Sequence, residues 1–234
     1  MVAYRFLGLY VLGIGVLLIS FSSKKILKIN IVRKRVLTVL GFLLFSNLIG
    51  SFLGTLGLLI TVWVYYFFRD PDRVIINDDD YLVSPADGEV IKVEEVEGPK
   101  ELGLENRKFN KISIFMNVFD CHVNRTPCAG KVEDILYKPG KFLNASFDKA
   151  SEDNERNYYK LKDNHGNEII VVQIAGLIAR RIVCETHKDQ TLEQGERIGM
   201  IRFGSRADVY YENYNPLVKI GQKTISGETL LAKR

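Results

Sequence analysis

Residues 195–211 read Gly-Glu-Arg-Ile-Gly-Met-Ile-Arg-Phe-Gly-Ser-Arg-Ala-Asp-Val-Tyr-Tyr, placing one Gly-Ser pair, Gly204 and Ser205, between two apolar runs. Met200, Ile201, Arg202 and Phe203 alternate apolar and polar as a half-buried strand does, and Val209, Tyr210 and Tyr211 resume strand composition after the serine. The stretch therefore predicts strand, turn, strand. A glycine in such a turn accepts a strained backbone, and its missing side chain leaves its carbonyl open to the next residue's hydroxyl. Attack of Ser205 on the Gly204 carbonyl is the geometry that backbone self-cleavage needs. Taken alone, the pair reads as an ordinary turn.

Working outward, the chain from Tyr81 on consists of short β-type runs broken by glycine and proline, without a long stretch of helical periodicity. Strand candidates are 90–96, 111–116, 132–137, 168–174, 181–184, 198–203 and 208–211, and 175–179 reads as a short helical or irregular piece. The expected class is mostly β, a β-rich sandwich. A weak repeat sharpens this: Ser84-Pro-Ala-Asp-Gly-Glu-Val90 recurs as Thr126-Pro-Cys-Ala-Gly-Lys-Val132. Each copy reads as a turn followed by a strand. Tight turns at Lys138-Pro-Gly-Lys and Glu193-Gln-Gly-Glu are similar to those of lipoyl- and biotinyl-type hammerheads, which suggests a barrel-sandwich hybrid. The lysine turn that would carry lipoate or biotin is absent. The polar segment 145–167 reads as a surface loop or hairpin.

The first 69 residues differ in kind. They hold eight Lys or Arg and no acidic residue, so the formal net charge of +4 conceals an amino-terminal excess and an acidic remainder. Residues 6–21 are almost wholly apolar and are followed by six positive charges within 24–35. With a second apolar run behind it and no clear cleavage site, this segment reads as a membrane helix over about 4–21 rather than a secretory signal. Residues 36–68 are uncharged and as one helix would extend ~50 Å against ~30 Å of hydrocarbon. Gly50, Gly54 and Gly57 near the middle leave a hairpin as open as one tilted span. The positive-inside rule puts 24–35 in the cytoplasm, and a hairpin returns the rest there. Tyr65-Tyr-Phe-Phe-Arg-Asp-Pro-Asp-Arg73 then forms an aromatic belt at the interface. The organisation expected is a membrane anchor over 1–69 and a catalytic domain over 70–234 facing the cytoplasm.

Charges beside long apolar runs suit an anionic membrane surface better than nucleic acid. Cys121, Cys128 and Cys184 are odd in number and show no metal-ligand spacing, and the three histidines form no ligand cluster, so no metal is expected. A reducing compartment follows.

Four blocks taken together resemble one family. The stretch around Gly204 and Ser205, with Asp208, resembles the processing motif of the short-form, pyruvoyl-dependent phosphatidylserine decarboxylase proenzymes. Ser84-Pro-Ala-Asp-Gly88 matches the family's Ser-Pro-Ala-Asp-Gly, with Asp87 its one ionisable group. Phe119-Asp-Cys-His-Val-Asn-Arg125 resembles the Phe-Asp-x-His-x-Asn-Arg block, in which Asp120 and His122, two apart on a strand, would share a face and orient the imidazole. Gln173-Ile-Ala-Gly ahead of Arg180 and Arg181 resembles the fourth block, and Phe67-Phe-Arg-Asp-Pro71 also resembles the family's junction. Longer-form decarboxylases carry a second histidine where this chain has Arg125, so His122 would serve more than once, or Asp87 act alone.

The resemblance implies that Ser205, activated by His122 or Asp87, attacks Gly204, giving a β chain of 1–204 and an α chain of 205–234 that begins with a pyruvoyl group made from Ser205. Phosphatidylserine would then lose carbon dioxide through a Schiff base on that ketone, with no other cofactor. Arg180, Arg181 and Arg125 are candidates for the lipid phosphate, solvated strand-edge charge being the alternative for the arginine pair. The partners implied are the phospholipid, the membrane and the two chains of one precursor, with a homo-oligomer compatible. Alternatives are the same chemistry on another serine phospholipid such as archaetidylserine, a non-catalytic membrane-anchored β-sandwich adaptor, and cleavage that serves maturation alone.

Overall fold

The computed structural model describes residues 29–142, 153–176, 181–202 and 205–234. It divides into two compact units, residues 1–63 and 64–234. The expected first helix over about 4–21 lies outside the described residues.

Residues Ile29–Phe67 form one helix, α1. Of the two alternatives for 36–68, the hairpin is not formed. No proline interrupts the run, and the polar side chains that would break an apolar helix turn back on its backbone: Ser46 Oγ and Asn47 Nδ2 donate to the Leu43 carbonyl at 3.0 Å, Thr55 Oγ1 to Ser51 at 2.9 Å and Thr61 Oγ1 to Gly57 at 2.8 Å. Val36–Phe67 is long and apolar enough to cross a membrane. Pro71, without an amide hydrogen, stands just past the helix end.

The second unit is mostly β. In chain order its strands are β1 (Tyr81–Val83), β2 (Gly88–Glu97), β3 (Lys108–Met116), β4 (Val123–Arg125), β5 (Gly130–Lys138), β6 (Arg156–Asp163) and β7 (Glu168–Ala175). There follow β8 (Ile182–Cys184), β9 (Thr191–Leu192), β10 (Arg197–Ile201), β11 (Ser205–Tyr211), β12 (Asn215–Pro216), β13 (Lys223–Thr224) and β14 (Leu230–Lys233). One curled eight-stranded sheet runs β13-β2-β3-β11-β7-β6-β5-β9, flanked by three-stranded sheets β1-β14-β12 and β4-β10-β8.

The repeat in the sequence is a pseudo-twofold in the fold. The order of the large sheet reads the same from either edge once β13, β2, β3 and β11 are matched to β9, β5, β6 and β7. The axis passes through the Val209–Val171 pair, where β11 and β7 meet antiparallel. Both repeats bulge at the same place, between Val90 and Lys92 in β2 and between Val132 and Asp134 in β5. Their turns exchange hydrogen bonds across the axis, Val83 N–H to the Pro127 carbonyl at 2.9 Å and Arg125 N–H to the Pro85 carbonyl at 3.0 Å. Ile75 packs against both Gly195 and Gly227, which are equivalent glycines of the two halves.

Alternation in β11 sends Ala207, Val209 and Tyr211 into the main core with Ile112, Ile114, Tyr159, Leu161, Ile169 and Val171. On the other face a smaller cluster of Leu104, Phe109, Tyr158, Ile170, Val172 and Ile174 covers the sheet. Arg206 and Asp208 also lie on that face, fully buried and paired with each other at 2.6 Å. Two-sided burial explains why β7 is apolar almost throughout.

The polar segment read as a surface loop or hairpin contains an interior strand. Residues 156–163 are β6, between β7 and β5, and β6 and β7 do form a hairpin. Several of its polar residues find partners in the interior, which hides the strand in the sequence: the Tyr159 hydroxyl bonds Gln173 Oε1 at 2.8 Å and the Ile198 carbonyl at 3.1 Å, and Arg156 pairs with Glu101 at 3.2 Å. Residues 145–152 of the segment lie outside the described residues.

Candidate active site

Ser205 is the first residue of β11, at the end of the sheet where β3 and β7 finish; it faces Met116 on one side and Ala175 on the other. Its side chain is fully buried, and the one contact recorded for its hydroxyl is to the Met116 sulfur at 3.8 Å. A thioether is a weak acceptor, so among the described residues the hydroxyl is only weakly held. Asn124 Nδ2 reaches the same sulfur at 3.8 Å and the Pro85 carbonyl at 3.3 Å. Its Oδ1 accepts from Gln173 Nε2 at 2.9 Å. A polar chain thus runs from Ser205 through Met116 and Asn124 to Gln173 and Tyr159, inside an otherwise apolar core.

His122 is also fully buried. It stands just before β4, two residues from Asn124, and its carbonyl accepts the Ile201 N–H at 3.2 Å, tying it to the end of β10. Its Nδ1 lies 2.9 Å from the Asp120 carbonyl, which makes Nδ1 the protonated nitrogen and leaves the lone pair on Nε2. No partner for Nε2 exists in the described residues. Burial pushes the imidazole down to about 4; the Asp120 carbonyl opposes this, the Arg69 charge adds to it and the Asp87 charge opposes it. At neutral pH the ring is a neutral base with an open nitrogen.

The expected orienting role of Asp120 is corrected in one respect. Its backbone carbonyl, not its carboxylate, holds the ring, because residues 117–122 form a turn rather than a strand. The carboxylate closes that turn by accepting the Asn117 N–H at 2.8 Å.

Asp87 lies at the head of β2 and does not touch His122. Its carboxylate accepts two hydrogen bonds from Arg73 Nη2, at 2.9 and 2.8 Å, and one from the Ser226 N–H at 2.7 Å. Arg73 belongs to the segment that leaves the helix, and several of its neighbours are bound to the same region. Phe67 is fully buried with its ring centroid 4.4 Å from that of His122. The Arg69 carbonyl accepts from the Cys121 thiol at 3.2 Å, and Asp70 bridges Arg125 at 2.6 Å and Arg197 at 2.9 Å. Residues 67–73 therefore strap the site. Arg125 also donates to the Gly195 carbonyl at 3.1 Å, so its guanidinium is committed to protein groups.

Arg181 is exposed, and its carbonyl accepts the Arg202 N–H at 3.1 Å. Arg180 and Gly204 lie outside the described residues. Among the described residues no group of three or more His, Cys, Asp or Glu is placed to hold a metal. All three cysteines are free thiols. Sequence reasoning passed over Asn124, Gln173, Phe67 and Arg73, although each stood in or beside a quoted block. Gln173 carried a signal: it is the polar member of an inward-facing series with Ile169, Val171 and Ala175, and a buried amide requires partners.

Residues 60–232 match the profile of the family described as phosphatidylserine decarboxylase, and the chain belongs to that family of decarboxylases. Among its relatives, the phosphatidylserine decarboxylase proenzyme of Pelagibacter ubique is 76% identical over 191 residues, 82% of this chain and 89% of the relative. The proenzymes of Ruegeria pomeroyi and Cereibacter sphaeroides are 55% and 53% identical, covering 79% and 86% of this chain and 85% and 87% of their own.

Proposed function

We propose that the chain is a membrane-bound, pyruvoyl-dependent decarboxylase that converts phosphatidylserine to phosphatidylethanolamine after cutting itself between Gly204 and Ser205. The observation that carries this reading is the presence of two buried groups that, among the described residues, are not locked by strong partners. One is the Ser205 hydroxyl against the Met116 sulfur; the other is Nε2 of neutral His122, two residues from the asparagine that reaches the same sulfur. In the precursor, His122 takes the Ser205 proton as the hydroxyl attacks the Gly204 carbonyl. Asp87, bonded to Arg73 and to the Ser226 N–H, supplies a negative charge that favours the imidazolium so formed.

The residues around position 205 fit a ketone at the start of β11: the position is fully buried, and Asn124, which reaches the same Met116 sulfur as Ser205, supplies an amide held in turn by Gln173. Once formed, that ketone supplies Schiff-base chemistry with the lipid's serine amine and an electron sink for loss of carbon dioxide. His122 returns a proton to the substrate carbon, and Arg180 and Arg181 meet the lipid phosphate. We place the catalytic domain on the cytoplasmic side, which the three free thiols support. If α1 crosses the membrane once, that placement puts the basic segment 24–35 on the opposite side.

The test is the mass of the denatured protein beside a Ser205→Ala control, together with release of carbon dioxide from phosphatidylserine vesicles. Two chains meeting at Gly204 and Ser205, the small one carrying a carbonyl in place of its amine, are expected from the wild type and one intact chain from the control. An intact wild-type chain in preparations that release carbon dioxide would overturn the reading.

A further inference from the structure

The turn between β3 and β4 is built rigidly yet presents a large apolar side chain to solvent. Asn117 Oδ1 accepts the Phe119 N–H at 2.8 Å, Asp120 Oδ2 accepts the Asn117 N–H at 2.8 Å, and the Asp120 N–H donates to the Asn117 carbonyl at 3.0 Å. Three bonds within four residues fix the backbone, while the Phe119 side chain at the tip is 63% exposed. A turn pinned this firmly does not collapse to hide its phenylalanine.

The turn is joined to the end of the apolar helix. Arg69 Nη2 donates to the Phe119 carbonyl at 2.9 Å, and the same guanidinium lies 3.9 Å above the Tyr66 ring. Around Arg69 stand Tyr65, Tyr66 and Phe68, exposed by 85%, 47% and 42%. Arg202 lies 6.0 Å from the centre of the Phe68 ring. A groove of about 610 Å³ runs among Val64, Tyr65, Phe68, Arg69, Asp70 and Pro71. Exposed aromatic rings interleaved with arginines, continuous with a helix able to cross a membrane, have the composition of a lipid interface.

We infer that Phe119 is a second point of membrane contact, inserted among the acyl chains of an anionic bilayer beside the end of the helix. This rests on the membrane reading above and extends it to the site itself. Because Phe119 is three residues from His122, insertion of the turn sets the height of the imidazole at the bilayer surface. A serine phospholipid then reaches the ketone by lateral movement, without leaving the membrane. Arg69 and Arg202 suit the phosphates of anionic lipid, whereas a second copy of this chain would bring the same positive charges together.

The experiment uses the full chain in phosphatidylcholine vesicles containing a minority of phosphatidylserine. In a Trp63→Phe background, which removes the one native tryptophan, Phe119→Trp is expected to fluoresce blue-shifted and to be quenched by acyl-brominated lipid. Quenching by water-soluble acrylamide without quenching by brominated lipid overturns the proposal, whatever the chain catalyses. In parallel, Phe119→Asp is expected to raise KM about tenfold for bilayer phosphatidylserine while leaving turnover of a dispersed short-chain analogue unchanged. Equal loss on both substrates makes Phe119 a support of His122 and sinks the idea, as does no loss on either. Activity absent from the wild type on both substrates would instead refute the decarboxylase reading, leaving the fluorescence result to stand alone.

Discussion

Replacement of His122 by asparagine in an uncleaved Ser205→Ala chain tests the electrostatic state of the site directly. In the folded protein the imidazole is depressed from 6.5 to about 4, mainly by burial. The sign follows from proton uptake. Above pH 6.5 neither state of the chain holds the proton, and stability is complete. Between 6.5 and 4 the unfolded chain is protonated and the folded one is not, so stability is lost as the pH falls; below 4 the loss is constant. The span is worth ~3 kcal/mol, or roughly 6–12 °C in melting temperature for a domain of this size. Asparagine keeps a nitrogen for the Asp120 carbonyl but has no titratable ring, so it starts less stable and lacks this loss. The assay is thermal unfolding in detergent from pH 7 to 4, followed as the difference between the two chains, which cancels the carboxylates they share. The gap should close by that amount on acidification. Parallel curves over the whole range would mean that the ring is solvated or paired, and the argument for a neutral base would fall with it.

Arg73→Met leaves Asp87 with the Ser226 N–H as its remaining partner among the described residues; self-cleavage should slow tenfold or more and the domain lose ~2 kcal/mol, with partial rescue by Arg73→Lys because lysine is a point charge. A wild-type processing time course on gels would reduce the strap to a cover. Gly88→Ala and Gly130→Ala place a Cβ against the Phe115 and Lys162 carbonyl oxygens respectively, and denaturation should report similar losses of ~2–4 kcal/mol for the two. A large inequality would contradict the equivalence of the two halves. Cys184 is exposed, whereas Cys121 and Cys128 are buried with thiols pushed up by burial. An impermeant maleimide should therefore label one site per chain, in inside-out vesicles and not in intact cells; labelling of intact cells would place the domain outside.

Much of the β domain was legible because its strands alternate or run apolar between glycine and proline, and because the offset repeat announces two like halves. What escaped were pieces whose signal is tertiary. β6 reads as polar, yet Tyr159 and Arg156 meet Gln173 and Glu101 across strands far apart in sequence. β9, β12 and β13 are two residues each and exist only because a neighbouring strand ends there. The glycines of the long apolar run suggested a bend, but nothing packs within 4 Å of a Cβ built at Gly50, Gly54 or Gly57, and the helix passes through them. At the site, motif strings drew attention to Asp87, His122 and Ser205. They said nothing of the ion pair between Asp87 and Arg73 or of the ring stacked on His122, since neither partner is near in sequence.

The pseudo-twofold has a consequence for the life of the molecule. In one half, β6 passes to β7 through a tight turn at Gly166, which has φ +86, and Asn167. In the other half the matching connection, from β3 to β11, is the long excursion of residues 117–204, and register sets Ser205 where Asn167 stands. A break ahead of Ser205 thus falls at a corner and leaves the ladders on both sides of β11 whole. The fragment 205–234 still places β11 mid-sheet, β13 beside β2 and β14 between β1 and β12. After the proposed cut it would be retained by interleaving, without a covalent link. If the chain is cut there, assembly must precede scission and the cut molecule has no return path: once melted, its small piece would have to find the large one by diffusion and thread four separate strand pairings. Such a protein persists through the height of its unfolding barrier, not through the ability to refold.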